Sequence, residues 1–299
     1  MTTLTRSILA VLLSTGLTCA PAVAQTPPGL AKLCAAAKSG DVPTITRLLD
    51  AGTPIDATDA KGWQPIIYAI KSKHHRALLL LLKRGADPNT CARSQTGTNA
   101  LGFAAEGGDL RLVQALINAG AKPNRRGRTG HSGLDTAVRA GHKDIVAYLL
   151  KHGADPNGWG TLDDLGRQNT PLYTAAKERH PDIVALLLKS GARVDQPLSN
   201  GDPVFTIAAG IADTRSLQLL IDAGATLEAK STRGAPPLII AIDNRRTEAV
   251  RFLLERGAIA SGLFSNFKGE PCTPIEAAKK TGDRQMIALV ERAAAKASK

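Results

Sequence analysis

Seven glycines constrain this chain more than any other feature. Gly52, Gly85, Gly120, Gly153, Gly191, Gly224 and Gly257 each close a run rich in Leu and Ile, and they follow one another at 33, 35, 33, 38, 33 and 33 residues. A fixed period of that length dictates a solenoid, because one such unit is too small to bury its own apolar face and must stack on its neighbours. Length alone would suggest about two domains of ~150 residues. The repeat overrides that expectation, since a stacked array has no internal boundary. An aromatic fraction of only 3% agrees, because thin stacked helices need Leu and Ala more than large rings.

The unit is clearest from Ser132 to Asn157, SGLDTAVRAGHKDIVAYLLKHGADPN. Thr170-Pro171-Leu172 and Thr273-Pro274-Ile275 mark first-helix starts: Thr supplies a capping oxygen, and Pro at the first helical position gives up no needed hydrogen bond. Paired alanines follow at 104–105, 175–176, 208–209 and 277–278. They give a face thin enough for the next helix to approach to roughly 8–10 Å. After a Gly-containing turn such as Ala140-Gly141-His142, a second helix carries Ile145, Val146, Leu149 and Leu150 as one buried stripe. Gly153 suits the left-handed residue that ends it, and Ala154-Asp155-Pro156-Asn157 turns the chain into a loop.

These motifs resemble the ankyrin-repeat family, whose units run G-x-T-P-L-H-x-A-A-x-x-G-H, an apolar helix, then G-A-D-x-N. The likeness covers about nine tenths of the chain, with Gly-Ala-Asp-Pro-Asn intact at 85–89 and 153–157 and Gly-Ala-Lys-Pro-Asn at 120–124. It implies an all-α ankyrin-repeat solenoid of about eight helix-turn-helix units over residues 30–294, with loop or β-hairpin fingers. The histidine of the family's T-P-L-H is absent throughout. Ile67, Gly102, Asp135, Tyr173, Thr206, Ile239 and Glu276 replace it, which predicts a weaker hydrogen-bonded link between units.

The first residues fall outside the repeat. Arg6, an apolar run from Ile8 to Leu13 that weakens toward Ala20, and Ala22-Val23-Ala24 together have the pattern of a secretory signal peptide over residues 1–24, with a lipoprotein signal at Gly16-Leu17-Thr18-Cys19 as the competing reading. The run falls short of the ~20 apolar residues a membrane span needs. Residues 25–29 form a short lead-in, and residues 295–299 a frayed tail. Cleavage would leave Cys34, Cys91 and Cys272 in an oxidising compartment. Cys91 and Cys272 sit about five units apart, on the order of 50 Å at ~10 Å per unit, so no bridge joins them.

No catalytic constellation is present: the sequence lacks H-E-x-x-H, C-x-x-C, G-x-S-x-G and a phosphate loop. His74, His142 and His180 occupy one turn slot, which points to a local structural role. Asp163-Asp164 lacks the glycine turn and later Glu of a calcium loop. No metal, cofactor or enzymatic activity is expected. The formal net charge of +12 falls to +11 with the loss of Arg6, and the basic residues cluster in unit two and before unit four. Export argues against nucleic acid as the counterpart and favours an acidic protein, peptidoglycan or lipid phosphate.

The resemblance implies a binding scaffold whose loops and first-helix positions form a concave face. On this chain those positions are Lys61, Trp63, Lys71, Arg93, Arg125, Arg126, Arg128, His131, Arg139, Trp159, Arg167 and Lys177, together with Lys38. Trp and Arg are the types that most often dominate interface energy, although Trp63 can also serve merely to pack its own finger. The steps of 35 and 38 place extra residues at 90–98 and 158–169, the second containing Trp159, and the last loop at 261–272 carries Phe264 and Phe267. The expected function is a monomeric, non-enzymatic protein-binding module, periplasmic or secreted, that inhibits or protects against an envelope enzyme. Support of an oxidative-stress enzyme, or adhesion to an anionic envelope polymer, stand as alternatives.

Overall fold

The computed structural model describes residues 27–93, 97–128, 130–160, 169–211, 213–266 and 268–297. The expected leader, its cleavage point and Cys19 lie outside these residues, as do Asp163-Asp164, Arg167, Phe267 and parts of both inserted loops.

Among the described residues eight antiparallel helix pairs succeed one another: α1 (Leu30–Ser39) with α2 (Val42–Asp50), α3 (Pro65–Lys71) with α4 (His75–Lys83), α5 (Ala100–Glu106) with α6 (Leu110–Asn118), and α7 (Gly133–Ala140) with α8 (Lys143–Lys151). The series continues with α9 (Pro171–Lys177) and α10 (Pro181–Lys189), α11 (Val204–Ala208) and α12 (Thr214–Asp222), α13 (Pro237–Asp243) and α14 (Thr247–Glu255), and α15 (Pro274–Thr281) with α16 (Arg284–Ala297). Each first helix packs on the next first helix and each second helix on the next second helix. The first-helix stack is the tighter, and in a curved solenoid the tighter side is the concave one. The paired alanines at 104–105, 175–176, 208–209 and 277–278 are all buried in it.

The local rules behind this architecture hold. Thr170 and Thr273 accept from the N–H groups of Tyr173 and Glu276, and Ser132 forms a capping box with Asp135. All seven closing glycines have positive φ, from 82° to 99°. A side chain would be strained there. Ile145, Val146 and Leu149 are fully buried, whereas Leu150 is half-buried and packs against that core.

The turn histidines do local work: a Cβ on Gly40, Gly108 or Gly141 would fall within 2.8 Å of the ring of His74, His142 or His180, so each ring covers the turn glycine of the unit before it. The fingers are stitched together by Arg93 N–H donating to Gly62 O and Arg128 N–H to Gly97 O, both at 2.7 Å. The last finger is a true hairpin, β1 (Phe264–Ser265) paired antiparallel with β2 (Pro271–Cys272).

Two expectations need correction. The terminal helix α16 buries Met286 and Val290, while Ala288 is exposed, and it runs on through residues expected to be a frayed tail, ending at Ala297. Where the T-P-L-H histidine is missing, other side chains link the units. Thr206, in that slot, donates its hydroxyl to Ala229 O at 2.6 Å, and the loop asparagines make a ladder of their own. Asn89, Asn124 and Asn157 each donate to the carbonyl of the next closing glycine and accept the N–H two residues beyond it.

Candidate binding face

The concave side of units two to four is where the basic candidates gather. Asp59 builds the first finger: its Oδ1 accepts from Lys61 N–H and Trp63 N–H, and its Oδ2 accepts from the Tyr68 hydroxyl at 2.6 Å. That leaves Lys61 exposed and turns the Trp63 ring inward, 5.2 Å from Tyr68 and 6.1 Å from Phe103 of the next unit. Trp63 therefore packs beyond its own finger. The Lys71 ammonium lies 5.3 Å from the Trp63 ring centre and 4.6 Å from that of Phe103, an arrangement that holds a cation at two π faces. Burial and the bond to Asp59 push the Tyr68 hydroxyl up, and burial pushes the Cys34 thiol up to about 12, which keeps it an inert thiol.

A second group forms around unit four. Arg125, Arg126 and Arg128 are exposed on the finger before α7, and Arg93 is exposed on the preceding finger. The approach of Gly127 to Gly97 is so close that a Cβ would meet the Gly97 oxygen at 2.4 Å, which ties this finger to the one before it. His131 is half-buried, with an Arg139 guanidinium nitrogen 3.1 Å from Nδ1. Burial first, then the charges of Arg139 and Arg126, pull its pKa down to about 4, so the ring is neutral near pH 7. Asp135 beneath is buried within its capping box, and burial raises its pKa against the opposing bonds from Ser132.

Gly158 and Gly160 approach this group: Cβ atoms there would lie 3.4 Å from an Arg126 guanidinium nitrogen and 3.2 Å from Asp135 Oδ1. The loop of Trp159 thus adjoins Arg126, although more than 30 residues separate them. Trp159 itself is half-buried, more covered than a ring with no core to enter. Lys177 is half-buried one unit farther on. The grouping can recognise anions and apolar side chains.

The opposite half of the face holds a cavity of about 450 Å³ that the sequence did not disclose. Its floor is Tyr173, Ile207 and Ile240, and its rim includes Asp243, Glu270 and Lys280, drawn from four units and the hairpin finger. Among the described residues no group of three or more His, Cys, Asp and Glu is placed to hold a metal ion, and no helix is long and apolar enough to cross a membrane.

Two family models match: ankyrin repeats (3 copies) over residues 101–198 and 172–261, and ankyrin repeats (many copies) over 33–82 and 66–117. The first alone covers more than half of the chain. The chain belongs to the ankyrin-repeat family. Ankyrin repeat and SOCS box protein 3 of Bos taurus is 34% identical over 90 residues, which is 30% of this chain and 17% of that protein. The B-cell lymphoma 3 protein homolog of Mus musculus is 37% identical over 94 residues, covering 31% of this chain and 20% of its own length. The ankyrin array thus spans at most about a fifth of these curated relatives. The human ASB11 ankyrin repeat domain superposes with a TM-score of 0.64 at 26% identity, covering 76% of this chain and 98% of that one. Ankyrin repeats indicate a protein–protein interaction scaffold, a class typically without enzymatic activity.

Proposed function

We propose that this ankyrin array is exported to a bacterial envelope and there binds an acidic protein through the concave side of units two to four. The observation that carries the reading is the convergence of Arg126, Arg139 and the Trp159 loop on one patch, while two units earlier a Lys71 ammonium is held at two aromatic rings. Arginine and tryptophan together suit a partner that offers carboxylates around an apolar anchor point. Such a scaffold would inhibit an envelope enzyme or protect the cell from it by covering its active site. The leader pattern at Arg6 to Ala24 supports export, with Gln25 as the proposed mature start.

Capture from envelope extract tests the reading. The Arg126→Glu/Arg139→Glu variant should lose the protein the parent retains, and the mature chain should have the mass that begins at Gln25. A second reading, adhesion to an anionic polymer, draws on the net charge of +12. Retention of polymer alone, falling steeply with salt, would favour it over a protein partner.

A further inference from the structure

In seven of the eight units the turn joining the two helices contains, among the described residues, one with positive φ. Glycine fills it in units one, three, four and eight, as Gly40, Gly108, Gly141 and Gly282. In units two, five and seven the residue is Lys73, Arg179 or Arg245, at φ 57°, 59° and 55°. Side chains other than glycine occupy that region at an energetic cost, and all three of these substitutes are basic.

Two of them share a cavity. Arg179 and Arg245, with Arg246, line a space of about 430 Å³ between units five and seven, within the size range of small-ligand sites. Arg179 Nε donates to Ile211 O at 3.3 Å and Arg246 Nε to Gly210 O at 3.0 Å, so two of the guanidinium groups are anchored by backbone carbonyls. The carboxylates in the wall are engaged elsewhere. Asp213 accepts the N–H and hydroxyl of Ser216 at 2.9 and 2.7 Å, and Glu248 pairs with Arg251 at 3.6 Å. Arg245 also stands near Asp283, whose carboxyl is held low mainly by the Thr247 hydroxyl.

We propose that this cavity binds a phosphate oxyanion, free or as a monoester. Planar guanidinium groups match phosphate oxygens with paired hydrogen bonds. Three of them around one space suit a dianion with three or four oxygens better than a carboxylate with two. The site lies at the helix-turn end of the units, opposite the fingers, so it stands or falls independently of the concave-face reading.

The test is thermal unfolding of the full chain at constant ionic strength, with inorganic phosphate or glycerol 3-phosphate replacing chloride. The parent midpoint should rise saturably with phosphate. In Arg179→Gly/Arg245→Gly, which installs the residue the other turns use, the concentration for half-effect should increase by about tenfold or more, while unfolding in chloride alone stays at or above the parent value. Arg246→Gln, which keeps both positive-φ residues in place, should show the same loss and serves if the double variant folds poorly. Whichever phosphate half-saturates at lower concentration identifies the source as free anion or ester. Equal responses of parent and variants would mark a bulk salt effect and overturn the proposal, as would a saturable rise of equal size in acetate.

Discussion

The side-chain amide of Asn124 donates to Gly153 O at 2.8 Å, while its oxygen accepts from Asp155 N–H at the same distance. One side chain thereby fixes the loop of one unit to the helix end of the next. Asn89 and Asn157 repeat the arrangement. Asp56 and Glu228, in the same slot, can only accept, and they do so from Asp87 N–H and Ile259 N–H. Asp195, the equivalent residue between units five and six, pairs instead with Arg193.

Asn124→Asp keeps the acceptor and loses the donor, setting a carboxylate against the Gly153 carbonyl. It should cost about 1 kcal/mol, and Asn124→Ala, which loses both bonds, about 1–2 kcal/mol, at the ordinary net worth of such bonds. Urea midpoints measure both. Variants that unfold with the parent would show that the ladder is decorative.

The core prediction is larger. Leu149 is fully buried between neighbouring second helices, so Leu149→Ala should destabilise by about 2–5 kcal/mol through lost burial and the cavity left behind. Arg126→Ala, at an exposed finger, should change stability by less than about 0.5 kcal/mol. Denaturant titration of the pair would expose a misplaced register, because an outward Leu149 would make the two costs alike.

Periodicity reveals what faces inward along a repeated helix, which is why the stripe of Ile145, Val146 and Leu149 could be read directly. It fails where the repeat ends. The last helix has a neighbour on one side only, its residues from Met286 to Val290 are all apolar, and the choice of Met286 over Ala288 was set by packing against α14 and α15. Surface concavity is harder still. Tyr173, Ile207, Ile240 and Lys280 share one cavity across roughly 100 residues, and no local pattern announces it. The contact between Lys71 and Phe103 was similarly hidden, since it needs the rise from one unit to the next.

His131 gives a pH dependence with a definite sign. Its pKa is about 4 in the folded chain against the ordinary value of about 6.5, so between these values the unfolded chain binds more protons. Stability should be fully present above about pH 7, fall as the pH drops toward 4, and lose nothing more to this group below that. His131→Gln removes the contribution, and its stability profile over that window should be flatter than the parent's. Parallel profiles would mean that the ring protonates freely beside Arg139.

The binding patch makes the most specific demand, because its two kinds of residue should act on different rate constants. Arg126 is exposed and charged, and contributes chiefly by drawing an acidic surface toward the finger. Trp159 is half-buried beside two glycines, so part of its ring remains for a partner to cover. A specific complex would bury about 800 Å² of this side. Once the partner is in hand, Arg126→Ala should lower the association rate, with an effect that shrinks at high salt. Trp159→Ala should raise the dissociation rate and cost about 2 kcal/mol or more. Lys71→Ala should resemble the arginine change in salt dependence but also speed dissociation, because Lys71 is held in place by Trp63 and Phe103 before the partner arrives. Surface plasmon resonance at two salt concentrations separates these effects. If all three variants bind like the parent while changes on α6 and α8 abolish binding, the partner occupies the convex side instead.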